Sequence, residues 1–113
     1  MTPAIANYKN FVRGDTIDER LFTIKKTINS VESPVDLTSC SIKVDFVFLN
    51  TCIRKQLGDG LTMIDAAQGK FKIDSFSLSK AGTWDYDIEI TFTNGAVKTW
   101  VKGEIIIEND VTK

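Results

Sequence analysis

From Ala81 to Ile107 the chain reads AGTWDYDIEITFTNGAVKTWVKGEIII, and its side chains alternate in character. Trp84, Tyr86, Ile88, Ile90 and Phe92 share one phase, while Asp85, Asp87, Glu89, Thr91 and Thr93 share the other. Successive side chains of a strand point to opposite faces, so this pattern predicts a strand with one buried and one wet face. Asn94-Gly95 fits a two-residue hairpin turn, because both positions of such a turn need positive φ. That turn sets Phe92 opposite Val97, Ile90 opposite Thr99, Ile88 opposite Val101 and Trp84 opposite Ile105. On the buried face Tyr86 then meets Gly103, and on the wet face Asp87 meets Lys102 and Asp85 meets Glu104. The last is a like-charge pair, which is unfavourable across strands. It predicts a bulge near Gly103, with Ile106 turned away from Ile105 and Ile107.

The rest of the chain follows the same two-residue period. ANYKNFVRGDT reads as a first strand ending at Gly14-Asp15, and IDERLFTIKKTI as a second, with Phe22 and Ile24 its core candidates. NSVESPVDLTS reads as a loop, since Pro34 excludes a central strand. CSIKVDFVFL alternates with Ile42, Val44, Phe46 and Phe48 in phase, and TCIRKQL is its return partner, turning near Asn50 with Cys52 opposite Phe48. Gly58 to Gly60 break that strand. LTMID and GKFKID are two further strands separated by AAQ, with Gly69 suited to the turn. SFSLSKAGT is a crossing connection with room for one helical turn. Turn signals at this spacing, without helical periodicity, predict an all-β fold. The expected form is a single antiparallel β-sandwich, Ig-like, of seven to nine short strands. It forms one domain over residues 1–113, with its core at 8–108 and a solvated tail at 109–113.

Composition removes most chemistries. Histidine is absent, which excludes Ser-His-Asp and Cys-His catalysis. Two cysteines, Cys40 and Cys52, are too few for a structural zinc site, and the expected hairpin keeps them apart as free thiols. No phosphate-binding glycine loop or dinucleotide fingerprint occurs. Gly58-Asp59-Gly60 lacks the ligand spacing of a calcium loop and reads as a turn. Lys and Arg number 14 against 15 Asp and Glu, a net charge of -1. That balance gives no general attraction to nucleic acid or to an anionic membrane. No run approaches the ~20 apolar residues of a membrane span, and MTPAIANYKN lacks the pattern of a signal peptide. These features predict a non-enzymatic protein without metal or cofactor.

Two clusters invite a functional reading. Asp85, Asp87 and Glu89 could hold a cation or act as a glycosidase pair, but a wet strand face predicts the same row. Trp84 shares its phase with four large apolar residues and reads as core. Trp100 stands between Lys98 and Lys102, outward and opposite Glu89, where it makes either an interface or a second small core. Trp100, Lys98, Lys102 and Tyr8 are the candidate interface residues, with Trp100 and Tyr8 as stacking platforms if the partner is a glycan.

The order of segments is itself informative. YKNFVRGDT is followed by VDLTSCSIKVDF, DGLTMIDAAQGKFKI, SKAGTWDYDIEIT, NGAVKTWVKGEIII and NDVT. This series resembles the small β-sandwich domain at the N-terminus of bacteriophage upper-baseplate proteins and related short virion proteins, from about Tyr8 to Thr112. Trp84 stands where that family usually has Tyr, and Trp100 where a smaller residue is common. The resemblance implies a virion component made in the host bacterial cytoplasm. It would work by contact with other phage virion proteins, as a homo-oligomer such as a trimer or hexamer, in a tail, baseplate or head-fibre adaptor. The family brings no catalytic residues. The alternative is a carbohydrate- or cell-surface-binding sandwich.

Overall fold

The computed structural model describes residues 3–109, and the all-β expectation holds. The strands are β1 (Ala4–Ile5), β2 (Phe11–Val12), β3 (Arg20–Thr23), β4 (Lys25–Ile28), β5 (Val31–Pro34), β6 (Ser41–Phe48), β7 (Thr51–Leu57), β8 (Gly60–Asp65), β9 (Lys70–Ile73), β10 (Gly82–Thr91) and β11 (Val97–Glu108). One hydrogen-bonded path runs β1-β11-β10-β6-β7-β8-β9-β3, with β2 also on β11, while β4 and β5 form a separate hairpin. The described residues therefore hold eleven strands rather than seven to nine. The excess comes from pieces too short or too exposed to alternate. Of the expected first strand, residues 6–16, only β2 is strand; β1 precedes it, and both run parallel to β11. The expected second strand breaks at Ile24 into β3 and β4. The expected loop around Pro34 contains β5, which ends on that proline.

β7 and β8 also pair in parallel through the tight Gly58–Gly60 turn, so the sheet is not purely antiparallel. The expected helical turn lies elsewhere. A 3-10 turn occupies Ala66–Gln68, and the 74–81 connection instead buries Leu78 and pairs Phe76 with Ile17. Of the expected tail, residues 110–113 lie outside the described residues; Glu108 closes β11.

The sheet curls so that its inner faces share one core. Ile42, Val44 and Phe46 from β6 meet Trp84, Tyr86, Ile88 and Ile90 from β10, Ile105 and Ile107 from β11, and Leu61, Phe71 and Ile73 from β8 and β9. Alternation placed those of β6, β10 and β11; Leu61, Phe71 and Ile73 were not singled out from the sequence, and the turns and connections bring in Ile17 and Leu37. No charged side chain is buried among the described residues. Trp84 keeps its indole satisfied by donating Nε1–H to the Lys80 carbonyl at 3.0 Å, and its ring stacks on Phe48.

The two ends of the path meet around one guanidinium. Arg20 of β3 lies 4.7 Å from the Tyr8 ring centre and 5.1 Å from that of Phe22, and it donates to the Asn7 carbonyl at 3.0 Å. At the same end the bare Cα of Gly103 lets the Ala6 carbonyl approach, where it accepts the Tyr86 hydroxyl. The bulge expected near Gly103 is absent: the β10–β11 pairing passes through it in continuous register.

The cysteines are free, Cys40 buried and Cys52 exposed. Cys52 pairs with Val47 rather than Phe48, because the β6–β7 turn centres on Leu49 and Asn50. Burial, reinforced by Asp36, pushes the Cys40 thiol above its ordinary range. A thiol reagent on the native protein should therefore label Cys52 readily and Cys40 only as the fold opens. Peptide mapping after a timed reaction checks this, and equal labelling would mean that Cys40 is not buried.

Candidate functional site

The opening hairpin departs from its expected register in two places that cancel. The Gly95 amide donates to the Phe92 carbonyl at 2.9 Å, the Phe92 amide to Ala96 at 2.8 Å, and only Gly95 has positive φ. The turn is thus a three-residue loop, Thr93 to Gly95, with glycine in the left-handed position. It puts Thr91 opposite Val97, Ile90 opposite Lys98 and Glu89 opposite Thr99, one residue out from a two-residue turn. Between Ile88 and Glu89 the register then shifts, with Trp100 as the extra residue. From Ile88–Val101 to Trp84–Ile105 the pairs counted from the turn are present, Asp85–Glu104 among them without the expected bulge.

The shift corrects the expectation for Trp100. It does not stand outward opposite Glu89. It is half-buried, packs on the core cluster, and meets Phe92 edge-on at 6.4 Å. Its Nε1–H is buried without a hydrogen bond among the described residues. The sequence signal was present: the doublet Trp100-Val101 breaks the alternation, as an inserted residue must. Lys98 and Lys102 are exposed as expected. Tyr8 is half-buried against Phe46 and Tyr86, and burial beside Tyr86 raises its phenol well above the ordinary range. Its hydroxyl, too, has no partner among the described residues. The four candidate residues do not converge. Tyr8 caps one end of the core, Trp100 borders a groove with Lys25 and Lys26, and Lys102 lies on the outer sheet face.

That outer face carries rungs of charge across the central strands. One rung runs Arg54, Asp45, Asp87, Lys102 from β7 to β11. The Arg54 guanidinium grips Asp45 at 2.7 and 3.0 Å and holds its carboxyl below the usual range. In the next rung Lys43 pairs with Glu89 at 3.3 Å. Alternation around a core accounts for this row, as the sequence suggested. Asp85 and Asp87 join Asp45, Glu104 and Lys102 in a cleft of about 490 Å³, walled by Ile5, Asn7 and Val47. The β6 and N-terminal contributions were not singled out from sequence, although Lys43, Asp45 and Val47 are the wet positions of an alternating strand.

Partial burial, then the neighbouring Asp45 and Glu89, raise the Asp87 carboxyl above its ordinary range. The folded protein therefore holds this proton more tightly than the unfolded chain. The resulting penalty grows as pH rises from the ordinary carboxylate range through the folded value and is complete above it. Asp87→Asn should accordingly be modestly more stable than the parent at neutral pH, with the difference vanishing in acid. Urea titrations at both conditions test this; a variant less stable at neutral pH would show that Lys102 outweighs the carboxylates. Among the described residues no group of three Cys, Asp or Glu side chains is placed to hold a metal ion. Among the same residues no helix is long and apolar enough to cross a membrane.

No family model and no curated protein matches the chain. A solved structure with a similar fold belongs to a Bacteroides vulgatus protein provisionally assigned as a glycoside hydrolase, with a TM-score of 0.52 and 13% identity. The match covers 91% of this chain but 17% of that protein, so this chain corresponds to a small segment of it. At that identity the likeness is one of fold.

Proposed function

We propose that this protein is a non-enzymatic structural component of a phage particle, a tail, baseplate or head-fibre adaptor that acts by protein–protein contact. The observation that carries this reading is the ordered series of turn motifs from Tyr8 to Thr112. The described members of the series have structural work to do, as expected of a scaffold. Asp36 accepts from the Thr38 amide at 2.9 Å and the Thr38 hydroxyl at 2.6 Å, a local turn that leaves Leu37 buried. Gly69 and Gly95 take left-handed turn positions. Leu61, Phe71, Trp84 and Ile105 are core. Mass spectrometry of purified particles should find the protein in stoichiometric amount, and its absence would overturn the reading.

A carbohydrate-binding module is the second reading. It draws on the similar fold found as a segment of the Bacteroides protein. Against it, both expected stacking rings, Trp100 and Tyr8, are half-buried. A glycan array probed with the full chain separates the two, since specific sugar binding without incorporation into particles would favour the module.

A further inference from the structure

The β4–β5 hairpin is the barest part of the molecule. Seven of its eight residues are exposed and one is half-buried. At its tip Ile28 and Val31 pair with each other and are 56% and 64% exposed. Its strands hydrogen-bond only to one another as strands, and it is anchored at its root by Ile24 and Val35. Ordering each residue's backbone costs about 1–2 kcal/mol, and a two-stranded hairpin alone is marginal in water. A bare arm of this kind is stabilised by a surface to lie on. One face carries Lys25 in a 3.3 Å ion pair with Glu32, and the other carries Lys26 below the two exposed aliphatic side chains.

The cleft on the outer sheet face has the complementary character. Four carboxylates, Asp45, Asp85, Asp87 and Glu104, line it against one lysine, and Ile5 and Val47 are 64% and 40% exposed at its wall. Two of its cross-strand pairs, Asp87–Asp45 and Asp85–Glu104, set like charges opposite each other. Arg54 already grips Asp45, so a cation from outside would chiefly relieve Asp85–Glu104. The arm of the same molecule is badly placed to supply it. Its root borders the groove beside Trp100 and Val101, whereas the cleft opens beside Lys102 and Glu104, on the other side of β11.

We propose that the β4–β5 arm of one copy docks in the carboxylate-lined cleft of the next copy. Lys26, which shares its face of the arm with Ile28 and Val31, meets Asp85 and Asp87, and Ile28 and Val31 pack against Ile5 and Val47. The donor and acceptor surfaces differ, so the contact is head-to-tail and generates a ring, or a filament if the rotation does not close. One arm is a small interface by the standard of stable complexes, so ring closure, which holds every copy twice, sets the state that persists. This deepens the structural reading above by naming its self-contact, and it rests on that reading.

The test is the solution mass of the full chain by light scattering across a dilution series, with circular dichroism to confirm folding. The parent should form a multimer that loosens with salt. Lys26→Glu, and separately Asp85→Lys with Asp87→Lys, should each weaken assembly about tenfold or more. An equimolar mixture of the two variants should recover it, because a reversed arm then meets a reversed cleft. Ile28→Ser with Val31→Ser should weaken assembly as well, and it decides the matter should the cleft variant fail to fold. A parent that is monomeric throughout, a multimer that ignores the reversals, or a mixture that does not recover each overturn the arm-in-cleft contact. None of those results removes the protein from the particle; only its absence from purified virions does that.

Discussion

Ile88→Ala should lower the unfolding free energy by about 2–5 kcal/mol, whereas Glu89→Ala, its immediate neighbour, should lower it by less than about 0.5 kcal/mol. Ile88 is fully buried, opposite Val101 on one side and Val44 on the other. Truncating it loses the transfer free energy of its aliphatic atoms and leaves a void that a three-strand stack cannot collapse to fill. Glu89 points to the wet face and makes one 3.3 Å ion pair with Lys43, both side chains about one-third exposed. Pairs this exposed contribute little, because solvent screens the attraction and holding two long side chains costs entropy. Paired urea titrations of the two variants measure the contrast. Equal losses would mean that the faces of β10 are misassigned, and with them the core.

Gly69→Ala should cost about 2–4 kcal/mol, from strain and overpacking together. Gly69 has φ 72°, in the left-handed region that a side chain resists. A Cβ there would sit 2.5 Å from the Ile24 carbonyl oxygen and 2.8 Å from that of Val35. Both neighbours are backbone, so neither can swing aside. The position is a junction. Ile24 donates to the Gly69 carbonyl at 2.8 Å, Val35 donates to Ile24 at 2.9 Å, and Leu37 donates to Ala66 at 2.8 Å. The substitution should therefore loosen the root of the β4–β5 arm as well as lower global stability. Hydrogen exchange at the Ile24 and Val35 amides reads the local effect, and thermal melting reads the global one. An unchanged melting temperature would refute the close approach.

The contrast between Ile88 and Trp100 explains how far the sequence could be read. In the long strands buried on one face, alternation named the inward side chains correctly, as for Ile42, Val44 and Phe46 in β6 and Trp84, Tyr86, Ile88 and Ile90 in β10, whereas the short β8 and β9 were read as strands without a face. Phase counting fails where the backbone inserts a residue. The two offsets in the β10–β11 hairpin, one in the turn and one at Trp100, cancel over the strand's length. The far pairs were therefore right for a reason that the near pairs did not share. The arm was illegible because neither of its faces is buried, so no period marks it. Even so, Asn29 and Ser30, both at positive φ, form its turn, and Asn is one of the residues that tolerates this. The N-terminal strands were read as one piece without a partner, because parallel pairing has no connecting turn to set a register. The cleft was half-visible: Asp85, Asp87, Lys102 and Glu104 follow from the hairpin, but Asp45, Val47 and Ile5 arrive from strands distant in sequence.

The parallel seam along β11 has a mechanical meaning. β1 and β2 run in the same direction as β11, joined to it by bonds from Ala6 to Lys102, Tyr8 to Glu104 and Arg13 to Glu108. Tension that draws the two ends apart slides these strands lengthwise past each other. The bonds then share the force together instead of parting one after another as in a zipper. A subunit tethered through both ends would resist a pull along its axis while remaining easy to peel from the side, at the arm.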